Sequence, residues 1–461
     1  MNEPEDFRDH ISTVNEAGKR VWIYPKQQKG KFYTARTIVS WFLLLFLFGT
    51  PFIKISGHPL LMLNVIERRF IIFGLAFGPQ DFYLFVLATI TIVIFVVLFT
   101  AIYGRIFCGW ICPQTVFLEM VYRKIEYWIE GDSANQRALD KAPMDSKKFF
   151  KKTSKHLIFY GIAFLIGNTL IAYIVGIDKL FDIVSHSPSQ NLSGFISVIV
   201  FSILFYIIFA KFREQACIIV CPYGRLQGVL LDPNSVVVAY DYVRGEPRGK
   251  FVKEEKREIG DCINCSLCVA VCPTGIDIRN GTQLECVNCT SCIDACDSIM
   301  EKVSLPKGLI RYASMKGIKD KIKFKITPRI IAYSSILLIL LSVLITMLFI
   351  RSDLDVNILR APGKVYQEQP ENKISNLYNI QVVNNTFENM PLNIKVNNSD
   401  AEIKIIGKDI VIPLQSVGDT EFLIILPKDK IKTALIPLDI QVFAGEKLIK
   451  EIKTSFLAPN K

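Results

Sequence analysis

The sequence contains little histidine and confines its cysteine to one region. Four His and 12 Cys occur among 461 residues, and every cysteine lies between positions 108 and 296. A haem held by two histidines within the membrane is disfavoured, because His58, His156 and His186 fall in loops or at the ends of apolar runs, and His10 in the polar N-terminal segment. The length and the hydrophobic share of 51% exclude a small secreted disulfide scaffold and a disordered protein.

Five apolar runs are long enough to cross a bilayer, which takes ~20 residues. They are Thr37–Ile53, Phe82–Tyr103, Leu157–Ile177, Gly194–Ala210 and Ile330–Ile350. A buried soluble helix is the alternative for the shorter runs, but the recurrence of such runs along one chain favours membrane spans. A mean hydropathy of +0.33 agrees with a multi-pass membrane protein.

Basic residues are distributed unevenly along the chain. The formal charge of +11 falls entirely outside residues 351–461, which contain 14 basic and 14 acidic residues. Residues 104–156 and 211–329 hold 10 and 19 Lys or Arg, whereas residues 54–81 and 178–193 hold 3 and 1. Basic loops stay in the cytoplasm, so the pattern predicts a cytoplasmic N-terminus and an exported tail. Basic runs beside spans indicate contact with membrane lipid, not with nucleic acid.

Two cysteine arrays follow the fourth apolar run, each with the spacing C-x2-C-x2-C-x3-C. This spacing lets three thiolates bind one [4Fe-4S] cluster, while the fourth starts a helix and reaches the other cluster. The predicted ligands are Cys262, Cys265, Cys268 and Cys296 for the first cluster, and Cys272, Cys286, Cys289 and Cys292 for the second. Zinc is the alternative, since paired C-x2-C units also suit a tetrahedral ion.

The other four cysteines form two C-x3-C-P motifs, Cys108 with Cys112 and Cys217 with Cys221. Each motif follows an apolar run toward the same side of the membrane, and an i,i+4 spacing on a helix would put both sulfurs on one face. If the two spans pack together, all four thiols meet. Such thiols suit Cu(I), a redox-active dithiol or a further iron site, and inert buried cysteines are the alternative.

Two further stretches indicate structure more than chemistry. The apolar, Gly-rich segment after Arg69 predicts a re-entrant or interfacial element. Residues 351–461 lack Cys and His and show alternating apolar runs such as Leu392–Val396 and Leu438–Val442. Short strands at this spacing predict an antiparallel β-sandwich, which we interpret as a binding or assembly domain.

Five sequence motifs together resemble one bacterial family, the cytochrome c oxidase accessory proteins CcoG, also called FixG or RdxA. The motifs are ERRFIIFGLAFGPQDF, FCGWICPQTVFLEM, the EGD at Glu130–Asp132, EQACIIVCPYGRLQG and the double cysteine array. The resemblance covers essentially the whole chain. It implies an inner-membrane cupric reductase that acts in assembly of cbb3-type oxidase, with two [4Fe-4S] clusters, copper at Cys108, Cys112, Cys217 and Cys221, and an immunoglobulin-like tail.

The expected architecture is a multidomain membrane protein with about five transmembrane helices, a cytoplasmic ferredoxin-like α+β module and a periplasmic immunoglobulin-like β-sandwich. Its expected segments are residues 1–36, 37–212, 213–329, 330–350 and 351–461. Expected partners are oxidase assembly factors or copper chaperones, an electron donor that the sequence does not identify, membrane lipid and a second copy of the chain. A quinol-oxidising subunit and a non-enzymatic assembly factor are the alternative functions.

Overall fold

The computed structural model describes residues 12–459, except for 16, 56, 67–68, 251–258, 322–325, 353, 362–364, 399, 408–409, 415 and 432. His10, Glu67 and Arg68 therefore lie outside the described residues, as do parts of the predicted N-terminal, ferredoxin-like and tail segments.

Five helices match the five predicted membrane spans, so the chain is a multi-pass membrane protein. Spans 1 to 5 are Lys31–Phe52, Phe82–Tyr103, Ser146–Val175, Leu192–Phe212 and Pro328–Ile350. Span 3 begins eleven residues before its apolar run, because the Asp145 carboxylate accepts a hydrogen bond from the Ser146 N–H at 2.7 Å and starts the helix in a polar stretch.

Shorter helices lie between the spans along the chain. They are Ile106–Trp110, Pro113–Thr115, Val116–Tyr122, Arg123–Ile129, Ser133–Lys141, Ile177–Ser185, Ala216–Val220, Pro222–Leu230, Tyr242–Gly245, Leu267–Ala270, Ser291–Lys302 and Met315–Lys319. Val116–Tyr122, Ala216–Val220 and the end of span 4, Ile208–Phe212, are π-helical. Such widened turns are rare and occur often at functional sites.

The ferredoxin-like module is built around one antiparallel strand pair, Val237–Tyr240 with Ile310–Ala313. The first strand is buried along its whole length. Its core contains Ile276, Ile278 and Met300 together with the cysteines of both arrays. The cysteine loops therefore belong to the folded core of this module.

The C-terminal domain is the predicted immunoglobulin-like sandwich of two antiparallel sheets. One sheet contains the strands Glu402–Ile406, Val417–Pro427, Lys373–Asn384 and Leu354–Arg360 in this order, with Gln367–Gln369 paired to Lys373–Asn384. The other contains Val411–Ile412, Met390–Val396, Leu435–Ala444 and Lys447–Leu457. Leu392, Leu438, Ile440 and Val442 point into a shared core, as the alternation predicted.

The segment between spans 1 and 2 forms strands, where a re-entrant or interfacial element was expected. Leu61–Asn64, Arg69–Ile72 and Leu75–Phe77 form a three-stranded sheet. Directly before span 2, Asp81 accepts hydrogen bonds from the Arg351 guanidinium at 3.0 and 2.7 Å. Both side chains are largely buried, so this pair joins the segment to the residue that follows span 5.

Candidate metal centre

The two cysteine arrays fold into loops with the same backbone conformation. We call Cys262–Cys268 the first cluster loop and Cys286–Cys292 the second. In the first loop Asn264 and Ser266 have φ of 54°, and in the second Asn288 and Thr290 have φ of 54° and 67°. Left-handed residues lie on both sides of the middle cysteine in each loop, and backbone of this kind can direct N–H groups toward a bound anionic group. The repeat in sequence is therefore also a repeat in structure.

The third cysteine of each array, and not the fourth, lies where a helix begins. Cys268 lies in Leu267–Ala270, and Cys292 lies in the first turn of Ser291–Lys302. Cys296 lies inside that second helix, whereas Cys272 follows the first one. The predicted helix start at the fourth cysteine is wrong because the left-handed residues before Leu267 and Ser291 already end each loop.

The arrays bring their cysteines around two cavities. One cavity is lined by Cys262, Cys265, Cys268 and Cys296, and the other by Cys272, Cys286, Cys289 and Cys292, with Cys268 touching both. Among the described residues, no three Cys, His, Asp or Glu side chains lie close enough to bind a single metal ion. A zinc site needs four ligands at about 2.0–2.3 Å from one ion. The donor sets thus fit two iron–sulfur clusters, and the crossed assignment of their ligands stays a prediction.

The C-x3-C-P motifs do not form the regular helical turns that the i,i+4 spacing predicted. The chain leaves the helical conformation at Cys112 and Cys221, which have ψ of 125° and 110°. The reason is the following proline, which disfavours the helical conformation in the residue before it. Each of these two cysteines then precedes a helix with proline at its first position.

The four motif cysteines nevertheless come together, and we call Cys108, Cys112, Cys217 and Cys221 the thiol site. Burial, together with the nearby Cys112 and Cys221, raises the pKa of Cys108 to about 11 against the lowering effect of Arg105. Burial likewise raises the pKa of Cys217 to about 12, with contributions from the other three thiols. Such mutual effects mean that the two motifs are near one another, although no three of their thiols, all of which the structure describes, lie close enough to bind a single metal ion.

Two polar residues that sequence reasoning missed hold Cys108. Its Sγ donates to Gln227 Oε1 at 2.9 Å, and Gln227 Nε2 donates to Thr100 Oγ1 at 3.2 Å. Gln227 and Thr100 are both fully buried. Arg105 donates to the Leu284 carbonyl beside the second cluster loop. The position of Gln227, one turn into the helix after the second motif, was the available signal, but a lone glutamine there has no characteristic chemistry.

The thiol site touches the second cluster loop directly. Cys108 packs with Val287 and Cys289 in one buried cluster, with Tyr223 against it. A Cβ on Gly109 would lie 2.4 Å from the Val287 carbonyl oxygen, well inside normal contact distance. Only glycine therefore allows this close approach of the two backbones.

A cavity of about 1050 Å³ opens beside the thiol site. Cys217, Arg105 and Met315 are among its lining residues, as is the segment Asn280–Glu285 that leads into the second cluster loop. The cavity gives one thiol of the site access to small molecules or ions.

A buried ionic network supports the helices that carry the motifs. Arg213 makes a two-pronged contact with Glu126, at 2.6 and 2.9 Å. Arg123, of which 1% is exposed, contacts Glu214 at 3.3 Å and donates to the Pro273 carbonyl at 3.1 Å. Since Pro273 follows a cluster cysteine, the network links the membrane helices to the cysteine arrays.

Asp294 ties the cluster module to span 1. Its carboxylate accepts the backbone N–H groups of Phe32 and Tyr33 at 3.2 and 2.7 Å, so it caps a helix from another part of the chain. Asp294→Ala is expected to lower the free energy of unfolding by about 1 kcal/mol, as the loss of a helix cap does. Thermal unfolding in detergent measures the change. Asp294→Asn keeps a side-chain oxygen and should retain more stability; equal losses in both variants would contradict a capping role.

Three protein-family models match parts of the chain. A "4Fe-4S dicluster domain" matches residues 212–315, a "4Fe-4S binding domain" residues 85–131, and the "IG-like fold at C-terminal of FixG" residues 344–459. The second match contains the first C-x3-C-P motif.

Curated proteins and one solved structure are similar to the chain. Protein RdxB of Cereibacter sphaeroides is 30% identical over 404 residues, which cover 84% of each protein. The nitrogen fixation protein FixG of Rhizobium meliloti is 33% identical over 64% of this chain, and the aligned part spans 58% of FixG. The crystal structure of a FixG-related protein from Vibrio parahaemolyticus covers 23% of this chain and 97% of its own, with 18% identity and a TM-score of 0.20.

Proposed function

The chain belongs to the FixG/RdxA family of iron–sulfur membrane proteins, and from this we propose that it reduces Cu(II) to Cu(I) at the thiol site. Membership of this family makes the chain an iron–sulfur electron-transfer protein of the oxidoreductase type. The observation that carries the copper proposal is the packing of Cys108, one of four neighbouring motif thiols, against Val287 and Cys289 of the second cluster loop. We further propose that the copper supplies assembly of a cbb3-type cytochrome c oxidase.

The residues of the thiol site suit this reaction. Soft thiolate sulfur prefers Cu(I) over Cu(II), so binding at these cysteines favours the reduced ion. Gln227 fixes Cys108, and Cys217 lines the cavity through which copper would arrive. Iron–sulfur clusters bound by the arrays supply single electrons, and one electron converts one Cu(II) to Cu(I).

The membrane arrangement forms part of the same proposal. The distribution of Lys and Arg supports a bacterial inner-membrane protein with the arrays in the cytoplasm and the immunoglobulin-like domain in the periplasm. Proposed partners are copper chaperones or oxidase assembly factors, an electron donor, membrane lipid and a second copy of the chain. The cytoplasmic placement keeps the thiols reduced.

Replacing the thiol site is expected to abolish copper reduction without loss of the clusters. The variant carries serine at Cys108, Cys112, Cys217 and Cys221. Serine oxygen is a hard ligand that does not stabilise Cu(I), so Cu(II) reduction by the reduced protein should fall to background. A Cu(I)-specific chelator measures the product anaerobically, and iron and copper are quantified on the same samples.

The matched control is Glu301→Gln, which removes an exposed carboxylate that pairs with Lys307 and changes no thiol. It should reduce Cu(II) at the wild-type rate. Undiminished reduction by the four-serine variant, with full iron content, would disprove the assignment of copper to these cysteines.

A quinol-oxidising subunit is the second candidate, favoured by the match of a "4Fe-4S binding domain" to residues 85–131. That segment contains Cys108 and Cys112, so the thiol site would bind iron in place of copper. Reduction of the bound clusters by a quinol analogue, together with loss of iron in Cys108→Ser and no Cu(II) reduction, would select this function.

A further inference from the structure

The two cluster loops share their cysteine spacing and their left-handed residues, yet their surroundings differ. In the first loop, Asn264–Ser266 is exposed to solvent. In the second loop the equivalent residues Asn288–Thr290 are buried, with relative exposures between 1% and 8%. One loop is therefore open to another molecule, whereas the other is covered by residues of this chain.

The cover of the second loop comes from the first C-x3-C-P motif. Cys108 packs against Val287 and Cys289, and Gly109 meets the Val287 carbonyl. Arg36 Nε donates to the Gly109 carbonyl at 3.1 Å and so holds this backbone from span 1. The contact joins a predicted cluster ligand to a thiol of the thiol site without an intervening residue.

We propose that the two loops divide the electron path. Electrons enter from a soluble one-electron carrier at the exposed Asn264–Ser266 loop, and the Val287–Cys289 segment passes them to a copper ion bound at Cys108. This inference rests on the proposed function. The carrier is oxidised by one electron and one Cu(II) is reduced to Cu(I), while no covalent bond of the chain forms or breaks.

Gly109 is the positioning residue for delivery. Ordinary van der Waals contact begins at 3.4 Å, so a Cβ placed 2.4 Å from a backbone oxygen forces the two segments apart by about 1 Å. A displacement of about 1 Å between reacting groups lowers rates by up to about 100-fold. A Cβ added to Gly161, by contrast, would lie more than 4 Å from every atom outside its own helical turn. Gly161→Ala is therefore a matched control.

The test compares cluster-loaded wild type, Gly109→Ala and Gly161→Ala in stopped-flow experiments. Methyl viologen radical reduces the protein, and ferricyanide or Cu(II) then reoxidises it. Gly109→Ala should be reduced by viologen and reoxidised by ferricyanide at wild-type rates, but reoxidised by Cu(II) about 10- to 100-fold more slowly. Gly161→Ala should match the wild type throughout. Equal Cu(II) rates in Gly109→Ala and wild type would overturn the delivery role.

Iron content and the EPR spectrum would reveal whether Gly109→Ala fails to fold. A second variant tests the same contact in that case. Val287→Ala removes two methyl groups from the contact with Cys108 and adds no atom, so it should also slow only the Cu(II) step. If Cu(II) does not reoxidise even the wild type, the proposed function fails.

A measurement that does not involve copper then still tests whether the first cluster loop is more exposed to solvent than the second. A water-soluble gadolinium chelate should speed EPR relaxation of the reduced cluster retained in Cys272→Ser, which keeps the first loop intact. It should leave the cluster retained in Cys265→Ser, which keeps the second loop intact, nearly unchanged. Equal enhancement in both variants would overturn the division of the path.

Discussion

Cys272→Ser is expected to leave about four irons per chain where the wild type holds about eight, and to remove the cluster of the other array. The reason is that Cys272 lines the cavity of the second cluster loop although it belongs to the first array. By the same crossing, Cys296→Ser should remove the cluster of the first loop. Iron analysis and EPR spectroscopy of anaerobically prepared protein measure both results.

The decisive comparison is between pairs of variants. Cys272→Ser and Cys289→Ser should give the same residual spectrum, and Cys296→Ser and Cys262→Ser should share the other one. Matching spectra within each array, such as Cys272→Ser with Cys262→Ser, would show uncrossed binding. Retention of zinc with no iron in the wild type would contradict the clusters themselves.

Glu126→Gln is expected to lower the free energy of unfolding by about 3 kcal/mol, because it removes the two-pronged partner of a buried arginine. Burial raises the pKa of Glu126, but the charge and hydrogen bonds of Arg213 outweigh it and hold the pKa below its usual value. The stabilisation is therefore complete at neutral pH, above the pKa of the unfolded chain, and is lost as the pH falls through the lowered pKa. Thermal unfolding and iron retention in detergent measure the effect.

The matched control is Glu301→Gln, which removes the partner of Lys307 at 3.1 Å in an exposed pair. Exposed pairs contribute about 0–1 kcal/mol, so this variant should behave almost as the wild type. Equal losses in both variants would mean that the buried network contributes little beyond a surface ion pair. A loss in Glu126→Gln that does not diminish on acidification would contradict the pH argument.

The parts of the fold that follow from local sequence could be predicted. Apolar runs marked the five spans, and the alternation around Leu392 and Leu438 indicated the sandwich. The ends of the helices could not be predicted in the same way. Span 3 begins after Asp145, in a lysine-rich stretch that a hydropathy pattern does not mark as helical. The strands Arg69–Ile72 and Leu75–Phe77 were missed because a short apolar, Gly-rich segment has no clear period.

In the candidate site, too, features set by neighbouring residues could be predicted, whereas contacts between distant parts of the chain could not. Spacing alone nominated all twelve cysteines, since ligand spacing is a local property. It could not show that Gly109 meets Val287, or that Gln227 and Asp294 act on Cys108 and on span 1, because these contacts join distant parts of the chain. It also misjudged the motifs as helical turns, where proline chemistry outweighed the i,i+4 pattern.

The Asp81–Arg351 pair affects how the C-terminal domain should be removed in genetic work. A stop codon placed after span 5 would delete Arg351 together with the sandwich and strand a largely buried carboxylate at the start of span 2. A phenotype of that truncation would therefore have two causes, the loss of the domain and the destabilisation of the segment that contains Asp81. A cut that retains Arg351 and removes only the later strands separates them.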